Sequence, residues 1–149
     1  MAEALIIFAS LTGNTEEMAD IVAGRLEEKG ITTDVLEVSQ AEAEDFLDYD
    51  ACLIGSYTYG VDGVLPDEML DFYDDLVQLD LSGKVFGVFG SGDTYYEYFC
   101  AAVDHFEKAF LSIGAKPGGA TCKINLNAEE EDIQRLYALA DGIASHIEA

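Results

Sequence analysis

Ser10, Leu11, Thr12, Gly13, Asn14 and Thr15 place four hydroxyl or amide side chains and one glycine in six residues. An apolar run, residues 4–8, leads in, and an amphipathic stretch beginning at Glu16, Glu17 and Met18 leads out. Strand, hydroxyl-rich turn and helix together make a place for an anion. The first amide N–H groups of a helix have no intrahelical acceptor and carry the positive end of its dipole. A phosphate there accepts those N–H groups, and Ser10, Thr12, Asn14 and Thr15 add side-chain donors. The stretch lacks the lysine of the Gly-x-x-x-x-Gly-Lys-Ser/Thr phosphate loop, so neutral donors alone would hold the anion. The bland alternative is an ordinary capped strand-to-helix turn.

Two further stretches favour the anion. Ser56, Tyr57, Thr58, Tyr59 and Gly60 open a segment with two Tyr and two Gly within residues 56–63. Ser91, Gly92, Asp93, Thr94, Tyr95, Tyr96, Glu97, Tyr98, Phe99 and Cys100 add three Tyr and one Phe. Aromatic side chains in glycine-bearing loops are costly in water unless they cover something flat. A ligand with a terminal phosphate and a flat ring system fits the three stretches together, as flavin mononucleotide (FMN) would.

The elements that must bring these stretches together are legible in the apolar pattern. Apolar, partly β-branched runs at residues 4–8, 33–36, 51–54, 85–89 and 120–124 read as five strands, mostly covered on both faces. Helical stripes lie between them. Met18, Ile21, Val22 and Leu26 are followed by Gly30 as a stop, and Met69, Leu70, Tyr73 and Leu76 follow Pro66. Phe99, Val103, Phe106, Phe110 and Ile113 end at Gly114. Asn127 and Glu130 have capping-box spacing ahead of Ile133, Leu136, Tyr137, Ala140, Ile143, Ala144 and Ile147. Residues 41–47 form a short acidic helix at most. Alternating strands and helices predict an α/β fold: a three-layer sandwich around a five-stranded parallel sheet, in one domain over residues 1–149. Ligands of such sheets bind at the carboxyl ends of the strands, where strand order reverses. The loops after strands one, three and four, the three unusual stretches, therefore converge.

The quoted stretches resemble flavodoxin, and the order of strands and helices is similar to that family over the whole chain, without the insertion in the fifth strand that marks its longer members. The resemblance implies strand order 2-1-3-4-5, FMN as cofactor and a phosphate on Ser10, Leu11, Thr12, Gly13, Asn14 and Thr15. It places the flavin ring between Tyr59 and Tyr96, with Asp93 and the backbone of Ser91 and Gly92 at the pyrimidine edge. Ser56, Tyr57, Thr58, Gly60, Phe99 and Cys100 complete the implied contacts. The family often has Trp where Tyr59 stands and an acid where Val61 stands. The implied function is that of a low-potential one-electron carrier cycling between semiquinone and hydroquinone. A backbone flip at Gly60 would favour the semiquinone, so that Gly60→Ala weakens it. With flavin chemistry doing the work, no residue is expected to be catalytic and no metal is expected. The protein would be a carrier and not an enzyme.

Charge supports that reading. Thirty acidic residues against seven basic give −23, which argues against nucleic-acid and anionic-membrane partners. Fourteen acids and no base lie between Lys29 and Lys84. Such a surface steers a protein onto basic-surfaced redox partners, a reductase as donor and oxidoreductases as acceptors, by transient docking as a monomer. Without a basic flank, apolar core and small-residue cleavage site near its start, the chain is expected to be cytoplasmic. Three cysteines without CxxC spacing suggest neither a disulfide framework nor zinc, and Cys52 and Cys122 read as buried thiols. His105 and His146 read as structural or surface residues.

Rival functions fare less well. A flavin-dependent quinone or nicotinamide reductase needs a second pocket, and no arginine stands near the loops to bind a nicotinamide phosphate. An activator of a metal-radical enzyme is not separable from a carrier by sequence. A phosphorylation receiver needs acids where Ala9, Ser10, Gly55 and Ser56 stand, and a dinucleotide fold needs three glycines where Gly13 stands alone.

Overall fold

The computed structural model describes residues 2–9, 13–57, 67–92, 101–125 and 129–147. In chain order these form β1 (Glu3–Ala9), α1 (Asn14–Glu28), β2 (Thr32–Glu37), β3 (Ala51–Tyr57) and α2 (Asp67–Leu76). There follow β4 (Val85–Gly92), α3 (Ala101–Ser112), β5 (Lys116–Pro117), β6 (Cys122–Asn125) and α4 (Glu130–Ile147). Every strand pairing is parallel, and the sheet runs β2-β1-β3-β4-β5, the expected order.

The fifth position departs from expectation. Instead of one strand over residues 120–124, β5 pairs with Val85 and Phe86, and β6 then pairs with Phe89 to Gly92. Gly118 and Gly119 lie in the break, where α4 presses close. A Cβ on Gly118 would come within 3.0 Å of the Ile143 Cα, and one on Gly119 within 3.3 Å of the Leu139 Cα. Helix backbone occupies the space that side chains fill elsewhere along the sheet.

The two-residue period of the strands sorts the core into two layers. Ala4, Ile6, Phe8, Leu53, Val85 and Phe89 pack under α1 and α4, whereas Leu5, Ile7, Cys52, Ile54, Phe86 and Val88 pack under α2 and α3. The Phe86 and Phe110 rings stack at 4.8 Å in the second layer. Helix stripes follow the expected spacing, with an exchange on α2 and with Leu139 added to the buried face of α4. Met69, Phe72 and Leu76 point inward, and Leu70 is 46% exposed. Phe72 is one of two apolar neighbours at a helical step, and the core takes the larger ring. The acidic stretch after β2 forms two 3-10 turns, Val38–Gln40 and Ala43–Asp48, the second begun by the Glu42 N–H donating to Asp45 Oδ2 at 3.0 Å. At the start of α4 the Glu129 N–H donates to Asp132 Oδ2 at 3.1 Å, the same device two residues later than the sequence suggests. Asn127 lies outside the described residues.

The expected thiols are buried. Burial pushes Cys52 up to about 12 and Cys122 up to about 11, so both stay protonated and unreactive at neutral pH. His105 and His146 are both exposed, as read from the sequence.

α1 and α4 are clasped by charge. Arg25 donates from Nε to Asp141 Oδ1 at 2.8 Å and from Nη2 to Oδ2 at 3.2 Å, and its guanidinium lies 5.2 Å from the Tyr137 ring centre. Hydrogen bonding to Arg25 holds the Asp141 carboxyl below the usual aspartate range. A carboxyl whose folded pKa is depressed stabilises the fold above its unfolded pKa and loses that contribution as pH falls through the folded value. Asp141→Asn is therefore expected to be modestly less stable at pH 7. The gap to the parent should close as urea titrations are repeated at falling pH below the ordinary aspartate range.

Candidate functional site

The carboxyl ends of β1, β3 and β4 lie side by side. Ala9 stands opposite Ser56, Ser56 opposite Gly90, and Tyr57 opposite Ser91. β6 closes the far side, with Ile124 opposite Ser91 and Asn125 opposite Gly92. The three stretches singled out by composition thus leave the sheet at neighbouring points, as the reversal of strand order between β1 and β3 requires.

α1 begins beside these ends. Its cap is Gly13, in a left-handed conformation at φ 90°, and no side chain caps the helix. The first helical bond runs from the Glu17 N–H to the Gly13 carbonyl at 3.0 Å. The amides of Asn14, Thr15 and Glu16 precede that bond and belong to the first turn, where the helix itself supplies no acceptor. A Cβ on Gly13 would meet nothing within 4 Å among the described residues. A helix end whose cap residue is a glycine without a side-chain cap fits a phosphate oxygen.

Thr15 sits in the first turn, 1% exposed. Its position depends on a glycine opposite. A Cβ on Gly55 would lie 2.8 Å from Phe89 Cζ and 3.0 Å from Thr15 Cγ2, so the bare backbone of β3 makes room for ring and methyl together. With its methyl packed there, Thr15 presents Oγ1 to Ser91 Oγ at 3.1 Å. Both hydroxyls are buried, and either could donate. Gly90 has the same function on the opposite face. A Cβ there would overlap the Ser56 carbonyl oxygen and approach Val103 Cγ2 to 2.6 Å, so its absence lets α3 settle onto the sheet beneath the loops.

Of the residues expected to hold a ligand, the structure brings together Gly13, Asn14, Thr15, Ser56, Tyr57, Ser91 and Gly92. Ser56 is fully buried and its hydroxyl donates to the Tyr57 carbonyl at 2.9 Å, which fixes the exit of β3. Tyr57 is half-buried and packs against the layer under α2 and α3. Ser10, Leu11, Thr12, Thr58, Tyr59, Gly60, Asp93, Tyr96, Phe99 and Cys100 lie outside the described residues. The sequence marks Ser91 for its backbone, places Phe89 and Val103 only as core residues of a strand and a helix, and gives Gly55 no packing role. The strand period was the available signal, since Ser91 follows Phe89 by two and shares its face toward α1.

The charge around these ends is acidic. Glu16 and Glu17 are exposed on the first turn of α1. Lys123 stands opposite Gly90, but its ammonium lies 2.7 Å from Asp104 on α3. Among the described residues no cluster of His, Cys, Asp and Glu is arranged to hold a metal ion, and no helix is long and apolar enough to cross a membrane.

Comparison with known proteins agrees with this geometry. The flavodoxin family model matches residues 6–138. Probable flavodoxin 2 of Bacillus subtilis is 44% identical over 142 residues, covering 91% of this chain and 90% of that protein. The structure of a Streptococcus pneumonia TIGR4 flavodoxin superposes with a TM-score of 0.96 at 53% identity, covering 98% of this chain and all of that one. A short-chain flavodoxin associated with a PDU bacterial microcompartment gives 0.96 at 44% identity, over 99% of this chain and all of the other. The chain belongs to the flavodoxin family, whose members transfer electrons by means of bound FMN.

Proposed function

We propose that this flavodoxin is a low-potential carrier of single electrons, loaded by a reductase and discharged by acceptor enzymes. Bound FMN supplies the redox chemistry. The observation that carries the reading is the glycine-capped α1 N-terminus beside the buried Thr15 hydroxyl, at strand ends whose loops contain no cation. The amides of Asn14 and Thr15, the Thr15 hydroxyl and the donors of Ser10 and Thr12 hold the phosphate without a counter-cation. Tyr59 and Tyr96 cover the ring on its two faces. Gly60, Asp93 and the backbone of Ser91 and Gly92 border its polar edge, and Ser56, Tyr57, Thr58, Leu11, Phe99 and Cys100 shape the surrounding wall.

The protein's contribution to the potential is electrostatic. A net charge of −23 and acid-only loops disfavour additional negative charge on the buried ring. Every tenfold penalty on the charged form lowers a one-electron potential by about 59 mV. No side chain is assigned as nucleophile or general base, and the protein acts as a carrier rather than an enzyme. One domain over residues 1–149 houses the site, in the cytoplasm, with basic-surfaced redox proteins as partners.

Anaerobic photoreduction of the FMN-loaded protein, followed in the visible range, tests this. The expected result is a long-wavelength absorption band that rises as the first electron enters and falls as the second follows. Direct bleaching without that band would mark two-electron chemistry and remove the carrier reading.

A further inference from the structure

We propose that the Ser91 side chain is a positioning residue for the phosphate end of FMN. It donates its proton to Thr15 Oγ1 and so directs the Thr15 proton at the phosphate. This rests on the reading of the α1 N-terminus as the phosphate site.

The geometry is specific to this pair. Ser91 leaves the sheet on β4 and Thr15 lies in the first turn of α1, yet their hydroxyl oxygens are 3.1 Å apart and both residues are buried. A hydroxyl has one proton to donate and can accept two. At that distance one of the two donates and the other accepts. Alone, the pair has no reason to prefer a direction. An anion in front of Gly13 settles it, because an anion accepts only. Thr15 must then give its proton to the phosphate, and its oxygen is left to accept from Ser91.

The result is a donor chain from Ser91 Oγ–H to Thr15 Oγ1 and from Thr15 Oγ1–H to a phosphate oxygen. Bonds in such chains polarise one another, and the terminal one is charge-assisted. The rotamers are fixed from below. The Thr15 methyl and the Phe89 ring both lie against the space that a Cβ on Gly55 would fill, which holds the Thr15 side chain in place over β3. Ser91 shares the face of Phe89 by the strand period and so lies on the α1 side of the sheet. A residue on the strand that leads into the ring-binding stretch thereby acts on the opposite end of the ligand.

The test separates phosphate from ring. Dissociation constants of the apoprotein for FMN and for riboflavin, which lacks the phosphate, are measured by flavin fluorescence quenching. The parent is expected to prefer FMN strongly. Ser91→Ala should weaken FMN binding about 10-fold and leave riboflavin within twofold, because the loss falls on a single charge-assisted bond. Ser91→Cys, of similar size with a weak donor, should fall between, and serves if the alanine variant does not fold. In a Thr15→Val background, Ser91→Ala should cost nothing further toward FMN. Equal weakening toward both ligands, or the same loss in the Thr15→Val background, would overturn the proposal and leave Ser91 a packing residue. A parent that binds FMN and riboflavin alike would instead remove the phosphate site itself, and the proposal with it.

Discussion

Gly90→Ala is expected to lower the thermal midpoint of the apoprotein by roughly 5–10 °C and to weaken FMN binding, while Gly87→Ala on the same strand does neither to that extent. The two glycines are three residues apart on β4, both buried, and face opposite layers. What the added methyl meets decides the cost. At Gly90 it overlaps the Ser56 carbonyl oxygen, which is backbone of the neighbouring strand, and comes within 2.6 Å of Val103 on α3. The carbonyl cannot turn away without opening the ladder between β3 and β4 at the level where Ser56 faces Gly90 and Tyr57 faces Ser91. Any relief is transmitted to the exits of both strands, where the loops of the site begin. At Gly87 the methyl meets Ile143 Cδ1 at 2.7 Å and the methyl ends of Leu139 and Leu53 at 3.3 Å. Those are tips of side chains with other rotamers, so the strain is absorbed under α4, away from the site. Differential scanning calorimetry of both apoproteins, with FMN titrations of each, checks the contrast. Equal losses in the two variants would show that burial alone, and not the closeness of backbone, sets the cost.

The fold was legible because its signals are local and redundant. Five apolar runs and four helical stripes fix a doubly wound sheet once right-handed crossovers are required, and the glycines after α1 and α3 mark their ends with φ of 85° and 90°. What failed was decided by neighbours distant in sequence. The break between β5 and β6 coincides with Pro117, Gly118 and Gly119, a local breaker signal, but the close approach of α4 to those glycines joins residues distant in sequence. On α2, Leu70 and Phe72 are both apolar, and the helix angle that buries Phe72 is set by contacts such as the Phe46 ring at 6.1 Å. At the site, residue types mark the strand-to-helix turn as a candidate anion site, although Ser, Thr and Asn also serve there as ordinary helix caps. The hydroxyl pair of Thr15 and Ser91 was hidden, because it joins residues 76 apart and each looks sufficient by itself. The packing glycines were hidden for the same reason: Gly55 and Gly90 are read as ordinary strand residues until the side chains of Phe89, Thr15 and Val103 are in place.

Neutralising three acids on α2, Asp71→Asn with Asp74→Asn and Asp75→Asn, is expected to slow electron delivery to a basic redox protein about 10-fold at low ionic strength. The protein's few cations are unevenly distributed. Arg25 and Lys29 are both engaged with Asp141, Arg135 with Asp132, and Lys123 with Asp104. The first three of these bases belong to the α1 and α4 layer. In sequence, fourteen acids and no base lie between Lys29 and Lys84, and on α2 Asp71, Asp74 and Asp75 are all exposed. Lys84 itself donates to the Leu47 carbonyl at 3.1 Å. α2 itself contains acids and no base, and Leu70 on it and Val77 just beyond it also stand exposed at 46% and 37% and offer apolar contact once charge has aligned the partners. A control variant removes three charges from the opposite layer, as Asp20→Asn, Glu27→Gln and Glu28→Gln on α1. If docking is directed by the α2 face, stopped-flow oxidation of the reduced protein by a basic haem protein should be slowed by the first set and much less by the second. The two rates should converge with the parent near half-molar salt, where screening shortens the reach of charge well below the 10 Å or so that holds at 0.1 M. Equal slowing by the two sets would mean that net charge alone governs encounter. A larger effect of the α1 set would place docking on the other side of the sheet.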